Sequence, residues 1–423
     1  MNRLKFYKEA DFKNTQIGKI PADWEIEKLE EICDKAKAGG TPLTTEKKYW
    51  NGTLPFVKIE DITIAGKYLT ETKTSISEEG LNNSSAWLVP ENSLLIAMYG
   101  SMGEVSINKI PVTTNQAILG IIPRERDDVE FLYYWYLFFK PRWKKYSKPT
   151  TQANLTAEIL RNSVIPLPPK DERRIITEVL GVVDSAIEVV DRIIAKTERL
   201  KKGLMQTLLT RGIGHKEYKQ TPIGTIPKTW QTVKLQEVAE IRGNKRVNDF
   251  EKIACIPMEL IPQSQILAKY QIRAEEDIRS STYCEAGDLL LAKITPSLEN
   301  GKQGIVPSDI PNKIALATTE VFPIRCSGIN RFFLFYVLKF SKFRNKIISS
   351  MIGTTGRQRA SKESVERLEI PLPPIDEQQK TAEILSNVDE KLELERNEKS
   401  RLERIKQGLM DLLLIGKIRV KVD

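Results

Sequence analysis

Two long stretches of the chain carry apolar residues at spacings of three and four, the pattern of a helix that buries one face. The first series runs from Ile176 to Leu208, and the second runs from Leu385 to Leu412. Each follows a Pro-Pro pair that ends the preceding strand, and each has Asp-Glu in its first turn, where negative charge suits the helix dipole. Because neither helix can bury its seam alone, we predict that the two pack against each other as an antiparallel coiled coil.

The seam of this coiled coil is mostly aliphatic. Glu395 and Lys399 occupy slots that Val190 and Ile194 fill in the first helix, and polar seam residues commonly fix the register at a cost in stability. The predicted seam positions are Leu180, Val183, Ile187, Val190, Ile194, Leu204, Leu385, Val388, Leu392, Glu395, Lys399, Leu402 and Leu409.

Outside the two helices, short apolar runs alternate with Gly, Pro, Asn and Ser, as at residues 54–59, 93–99 and 288–294. Such runs predict strands that are bounded by turns. Unbroken aromatic runs at 131–139 and 331–340 predict one helix in each module, for which burial in a core is favoured over stacking on flipped bases. The expected fold class is therefore α+β or α/β, with two globular modules separated by the two long antiparallel helices.

The chain consists of two copies of one internal repeat. Residues 17–34 and 223–240 share eight of eighteen positions, and residues 165–184 and 370–389 share eleven of twenty. The interiors between these blocks diverge, which favours a common scaffold with two different specificities over a duplication with simple drift. We expect an internal pseudo-twofold repeat, with modules at 1–165 and 221–370 and with spacer helices at 166–220 (including a linker) and 371–423.

Composition restricts the class of protein. The chain has 423 residues and a formal net charge of +9. Its four cysteines form no Cys-x-x-Cys pair, which indicates reduced thiols in a cytoplasmic protein. No apolar stretch is long enough to span a membrane, and the opening MNRLKFYKEADF lacks the apolar core of a signal peptide.

Candidate catalytic chemistry is sparse. The lone histidine, His215, argues against Ser-His-Asp and Cys-His catalysis, and its Gly- and Lys-rich surroundings predict an exposed side chain. Neither an adenine-methyltransferase Pro-Pro-aromatic motif nor a Gly-x-x-x-x-Gly-Lys-Ser/Thr phosphate loop occurs in the sequence. Asp171-Glu172 and Asp376-Glu377 are interpreted as helix N-terminal charges in preference to metal ligands. We expect no enzymatic activity, no metal and no cofactor.

The basic charge is concentrated in two places. Residues 140–157 and residues 331–360 carry several Lys and Arg residues and no acidic residue, and each cluster follows an aromatic run. Two acid-free clusters at matching places in a repeat favour a nucleic-acid partner over a solvated lysine face. The Thr, Gln, Asn and Arg residues beside them suit hydrogen bonds to phosphates and base edges.

The chain resembles the specificity (S) subunit of Type I restriction–modification systems over essentially its full length. The resemblance is carried by the duplicated Ile-Pro-Leu-Pro-Pro blocks that open the long helices and by the Gly-Leu-Met near each helix end. The first module adds Gly39-Gly40-Thr41-Pro42, the run from Tyr49 to Val57, Met98–Gly103 and Thr114–Ala117; the second adds Gly287–Ala292 and Ala317–Glu320. The second module lacks the Gly-Gly-Thr-Pro stretch and has Arg242–Arg246 near that place.

The resemblance implies a non-catalytic reader of double-stranded DNA. Each module would be a target recognition domain that reads one half of an asymmetric, two-part site. The helices would set the gap between the half-sites and dock two methyltransferase (modification) subunits, which restriction subunits can join. The alternative is a stand-alone DNA-binding regulator or architectural protein, which would not need exposed apolar surface for partner docking.

Candidate DNA-contacting residues follow from the clusters and the resembling motifs. In the first module they are Thr41, Tyr49, Lys58, Tyr99, Ser101, Arg142, Lys144, Lys145, Lys148, Thr151, Gln152 and Asn154. In the second module they are Arg242, Asn244, Lys245, Arg246, Lys293, Lys302, Lys342, Arg344, Lys346, Thr355, Arg357, Gln358 and Arg359.

Overall fold

The structure, a computed structural model, describes residues 4–145, 155–243, 245, 247, 250–274, 281–354 and 356–422. The chain divides into two units, one of residues 1–189 with 400–423 and the other of residues 190–399. Each unit thus combines one copy of the repeat with a part of both long helices.

The first unit consists mainly of short strands, with one aromatic helix. Its strands before the first long helix are β1 (Leu4–Lys8), β2 (Phe12–Thr15), β3 (Gly18–Pro21), β4 (Glu25–Lys28), β5 (Cys33–Ala38), β6 (Trp50–Val57), β7 (Tyr68–Leu69), β8 (Thr74–Ile76), β9 (Leu88–Val89), β10 (Leu94–Ala97), β11 (Val105–Asn108), β12 (Val112–Thr114), β13 (Ile118–Pro123) and β14 (Val164–Leu167). Its helices are α1 (Leu29–Ile32), α2 (Ile59–Ala65), α3 (Glu78–Asn82), α4 (Val129–Phe139), α5 (Ala157–Arg161) and the start of α6 (Lys170–Leu208).

The second unit repeats this order. Its strands are β15 (Tyr218–Thr221), β16 (Gly224–Pro227), β17 (Gln231–Lys234), β18 (Ala239–Ile241), β19 (Lys252–Ile256), β20 (Gln271–Ala274), β21 (Thr282–Glu285), β22 (Leu289–Ala292), β23 (Gln303–Ile305), β24 (Ile314–Ala317), β25 (Val321–Cys326) and β26 (Glu369–Leu372). Its helices are α7 (Leu235–Val238), α8 (Arg331–Lys339), α9 (Ser341–Ser349), α10 (Lys362–Glu366) and most of α11 (Ile375–Leu413). The strand β27 (Ile418–Val422) returns to the first unit and pairs with β1.

The sheet topology is duplicated as well. The first unit has sheets of order β5-β13-β10-β11-β7 and β8-β6-β12-β9, and the second has β18-β25-β22-β23 and β20-β19-β24-β21. The same parallel pair recurs in both units, as β6 with β12 and as β19 with β24. The strand before each long helix also pairs with an early strand, β14 with β4 and β26 with β17. The predicted repeat and mixed α/β content are therefore confirmed.

Both aromatic runs form the helices predicted for them. In α4 nine of eleven residues are buried, and in α8 six of nine are buried, so both belong to the cores of their units. One tyrosine of each helix reaches a long helix. The hydroxyl of Tyr134 donates to Asp184 at 2.6 Å, and that of Tyr336 donates to Asp389 at 2.8 Å. Burial and these carboxylates raise the pKa of both tyrosines, which therefore remain neutral donors.

The long helices begin where the Pro-Pro pairs predicted. All of the predicted seam residues are buried or half-buried, Glu395 and Lys399 included. Within the second unit, Asp191 pairs with Lys399 at 2.6 Å and Lys201 pairs with Asp389, so residue numbers rise along α6 as they fall along α11. The predicted antiparallel direction is thus confirmed there. The partly exposed Asp191–Lys399 pair contributes at most about 1 kcal/mol, whereas the Lys201–Asp389 pair is largely buried.

Candidate nucleic-acid interface

The loops that follow two central strands meet at one edge of each unit. In the first unit the backbone N–H of Met98 donates to Ala117, and the carbonyl of Met98 accepts from Leu155. In the second unit Lys293 makes the same two bonds, donating to Glu320 and accepting from Ala360. We call residues 98–103 and 114–117 the first rim, and residues 293–296, 318–320, 352–354 and 356–359 the second rim. The two rims therefore have equivalent backbone positions in the repeat but carry different side chains.

A glycine-rich loop packs against the first rim. A Cβ atom on Gly39 would lie 1.9 Å from the carbonyl oxygen of Thr114, so only glycine allows this approach. The next residues bring Thr41 to the surface, where its hydroxyl donates to Oε1 of Gln116 at 2.6 Å. Thr41, a predicted DNA contact, thereby orients the exposed amide of Gln116, which was not among the predicted contacts.

The other described candidates of the first unit lie at or near the surface. Tyr99 and Lys58 are exposed, whereas Ser101 and Tyr49 are half-buried. Arg142 is exposed, and its guanidinium lies over the ring of Phe138 and donates to the Phe138 carbonyl at 2.9 Å. The backbone of Lys144 and Lys145 lies in a short 3₁₀ helix at Lys140–Lys145. The remaining candidates, Lys148, Thr151, Gln152 and Asn154, lie outside the described residues, as do Asn244, Arg246 and Thr355 of the second unit.

Three cations of the second unit turn inward. Arg242 forms two hydrogen bonds to Asp288 and one to Glu285, and its side chain is 14% exposed. Burial opposes its charge, but these bonds raise its pKa overall. Lys302 donates to the carbonyl of Met258 at 2.7 Å, and Arg344 donates to Gln303 at 3.2 Å while burial lowers its pKa to about 10. These contacts stabilise the module internally. DNA contact by Arg242, Lys302 and Arg344 remains a prediction.

Other cations of the second unit point outward. Lys245, Lys346 and Arg357 are exposed, and Lys342 and Lys293 are half-buried. Burial is the main cause that lowers the pKa of Lys342, and the positive charge of Lys346, one helical turn away, is the smaller cause. Two like charges on one helix face that repel each other suit an anionic partner such as a phosphate backbone.

Arg359 of the second rim differs from its neighbours because a carboxylate holds it. Its Nε and Nη2 donate to the two oxygens of Glu320 at 2.9 and 2.8 Å. The hydrogen bond and the charge of each partner raise the pKa of Arg359 and lower that of Glu320. Gln358, beside Arg359, is half-buried, and its carbonyl accepts from the backbone N–H of Thr295.

A second repeated site joins each module to the start of a long helix, and the sequence reasoning missed it. The indole of Trp24 donates to Glu172 at 3.2 Å, and that of Trp230 donates to Glu377 at 2.9 Å. In the first unit Arg419 also binds Glu172. In the second unit His215 takes that place, with its Nε2 2.8 Å from Glu377.

The prediction that His215 is exposed was wrong, because the carboxylate of Glu377 and the ring of Trp230 leave only 20% of its side chain exposed. Glu172 and Glu377 are interior acceptors in addition to helix N-terminal charges. The signal in the sequence was the recurrence of Trp and Glu at equivalent places in both repeats.

The described ranges contain no cluster of three or more His, Cys, Asp or Glu residues that could hold a metal. All four cysteines are free thiols, as predicted. Among the helices that the structure describes, none is both long and apolar enough to cross a lipid bilayer.

Comparison with known proteins agrees with the duplicated architecture. The family model for the Type I restriction modification DNA specificity domain matches residues 21–199 and again residues 227–404. The chain therefore belongs to this family of DNA specificity domains, with one domain in each repeat.

The relatives that resemble the chain in sequence include specificity subunits of Type I restriction enzymes. The chain is similar, at 28% identity over 430 residues, to the Type I restriction enzyme MjaVIII specificity subunit of Methanocaldococcus jannaschii, with 99% of this chain and 98% of that protein covered. Similarity to the Type I restriction enzyme EcoAI specificity subunit of Escherichia coli reaches 30% identity over 227 residues, which covers 52% of this chain and 36% of that protein.

Solved structures share the fold. The S subunit of a Type I restriction-modification system from M. genitalium aligns with a TM-score of 0.54 at 15% identity, covering 93% of this chain and 96% of that one. A chain from work described as "Structural basis underlying complex assembly and conformational transition of the type I R-M system" aligns with a TM-score of 0.55 at 16% identity, covering 94% and 99%.

Proposed function

We propose that this chain is the DNA-reading, non-catalytic subunit of a Type I restriction–modification complex. Each module reads one half of an asymmetric, two-part DNA site. The single observation that carries the proposal is the pair of equivalent rims, which have the same backbone bonds but unlike side chains. One scaffold with two surfaces suits the recognition of two different half-sites in one molecule.

The test is to produce the chain together with a candidate methyltransferase subunit from the same genome and to map N6-methyladenine across the host genome. We expect methylation at one asymmetric two-part motif that disappears when this chain is deleted. Unchanged methylation would contradict the proposal and would favour a stand-alone DNA-binding regulator or architectural protein.

The long helices are proposed to dock two methyltransferase subunits, which restriction subunits can then join. Support comes from large apolar side chains that remain exposed on both helices: Val182, Val189, Leu200, Leu394 and Ile405 are between 41% and 70% exposed. Exposed apolar residues that recur along one structural element mark a protein contact more often than scattered ones do. A regulator that acts alone would not need them.

We expect that L394D weakens the association with the methyltransferase subunit by roughly tenfold or more, because a charge would replace a side chain that becomes buried in the complex. The measurement is the Kd of the purified full chain for that subunit. The matched control is I272D, which changes an exposed isoleucine that lies on strand β20 and not on a long helix. Equal Kd values for L394D and I272D would contradict docking on the helix.

Each long helix contributes residues to both units, and we propose that its length sets the gap between the half-sites. We expect that one extra heptad in both helices lengthens the gap by about three base pairs, since seven residues add about 10 Å and a base pair rises about 3.4 Å. Methylation mapping should show both half-sites unaltered. A changed half-site sequence with an unchanged gap would contradict the spacer role.

A further inference from the structure

Arg359 is fixed at both its backbone and its side chain. Its N–H donates to the carbonyl of Ile352 and its own carbonyl accepts from the Ile352 N–H, both at about 3 Å, while Glu320 holds Nε and Nη2. Glu320 is itself fixed, because its carbonyl accepts from Lys293 and its N–H donates to the hydroxyl of Thr318. Arg359 is therefore preorganised, although 51% of its side chain remains exposed.

The bond pattern leaves one useful edge of the guanidinium free of Glu320. Nε and Nη2 each direct one hydrogen to the carboxylate, so the two hydrogens of Nη1 and the second hydrogen of Nη2 turn away from it. Two of these, one on each terminal nitrogen, are parallel donors. Guanine presents the matching pair of acceptors, O6 and N7, side by side in the major groove.

The charge of the pair argues against a phosphate contact. Arg359 and Glu320 together are neutral, and the carboxylate would repel a phosphate brought close to it. A base edge is an uncharged array of hydrogen-bond donors and acceptors. The Arg359–Glu320 pair suits it because the pair is neutral overall and its remaining N–H groups point in fixed directions. In contrast, Lys346 and Arg357 of the same unit are exposed, and among the described residues no carboxylate lies within ion-pair distance of either.

We propose that Arg359, positioned by Glu320, is a specificity-determining residue of the second module and reads a guanine of its half-site through Nη1 and Nη2. The inference rests on the proposed function of the module as a DNA reader. Glu320 acts as a positioning residue that does not touch the base. The rim of the first unit has no such pair at the equivalent place, where Ala117 stands for Glu320, so the first half-site is read differently.

The test uses the full chain in complex with its methyltransferase subunit, by methylation mapping and by binding to duplexes that vary each position of the second half-site. We expect that R359K, which keeps the charge, loses roughly tenfold or more of the discrimination at one guanine. The first half-site and the salt dependence of binding should stay unchanged. The unchanged first half-site shows in the same molecule that the variant folds and assembles.

E320Q tests the positioning role separately. It removes the carboxylate and frees the arginine, so we expect weaker discrimination at the same guanine together with stronger non-specific binding and a steeper salt dependence, by about one phosphate contact. The matched control is R367K, in an exposed Arg367–Glu363 pair outside the second rim, which should change neither property.

Three results with variants of Arg359 would overturn this inference and leave the proposed function intact. R359K could discriminate at every position of the half-site as well as the wild type does, or it could lose discrimination at a position that is not a guanine. Alternatively, R359Q could weaken binding to all sequences equally and lower the salt slope by about one, which is the behaviour of a phosphate contact. A wild-type complex that methylates no two-part motif would overturn the proposed function, and this inference with it.

Discussion

R419M is expected to lower the free energy of unfolding of the first unit by about 3–5 kcal/mol, because it leaves a buried carboxylate without its cation. Arg419 is 6% exposed and donates to Glu172, Asp23 and Glu9, and Glu172 is equally buried. Burial opposes the charge of Arg419, but the three carboxylates raise its pKa well above the ordinary value. The measurement is urea-induced unfolding of the purified chain.

The control for R419M is R396M in the second unit. Arg396 pairs with Glu198 at 2.6 Å, but both side chains are about half exposed, so the expected loss is below about 1 kcal/mol. Combining R419M with E172Q should recover part of the stability, because the uncompensated buried charge is then removed. A loss for R419M no larger than that for R396M would contradict the argument.

The same cation implies a pH dependence. The hydrogen bond from Arg419 holds the pKa of Asp23 below its ordinary value. A carboxyl group with a lowered pKa in the folded state stabilises the protein above its unfolded-state pKa, and this contribution is lost as the pH falls through the folded-state value. Asp23 therefore contributes to acid unfolding below about pH 4, and R419M should reduce that contribution. Because Asp23 is 57% exposed, the effect is small beside the loss of the Glu172 pair.

Removing three outward cations of the second unit is expected to weaken DNA binding at all sequences equally. In the variant K342Q/K346Q/R357Q the slope of log K against log salt should fall by about one for each phosphate that no longer meets a cation, so by about three in total. Neither Lys342 nor Lys346 has a carboxylate partner that the structure shows among its described residues, and the charge of Lys346 helps to lower the pKa of Lys342. A phosphate between them would relieve this repulsion.

The matched control removes three exposed cations of the same unit that already have carboxylate partners. Lys228 pairs with Glu217, Lys362 with Glu366 and Arg367 with Glu363. The variant K228Q/K362Q/R367Q changes the net charge by the same amount, but we expect a much smaller change in slope. Equal slopes for the two variants would show that only overall charge matters and would contradict a local phosphate contact.

Local pattern was enough for the elements that depend on neighbours in sequence. The three- and four-residue spacing predicted both long helices, and the aromatic runs predicted the buried helices α4 and α8. These predictions succeeded because the spacing of apolar residues along the sequence determines which face of a helix is buried. The duplicated blocks likewise predicted the repeat, although most strands of the repeated sheets lie in the interiors, where the two sequences diverge.

The local spacing of apolar and polar residues could not predict contacts between residues that are far apart in the sequence. Glu172 looked like a helix N-terminal charge, yet it is an interior acceptor for Trp24 and Arg419, which lie 148 and 247 residues away along the chain. His215 looked like an exposed linker residue for the same reason. Arg242 and Arg359 were both predicted to contact DNA, but only the fold shows that the first turns inward and the second lies on a rim.

The sequence by itself determined the two-copy architecture, the long helices with their seam and the expectation of a DNA partner, because repeats, apolar spacing and acid-free basic clusters are all properties of residue order. The tertiary structure alone decided which cations remain available to a partner. A guanidinium has the same charge in every position, and whether it binds DNA or its own protein depends on which carboxylates the fold brings within hydrogen-bond distance.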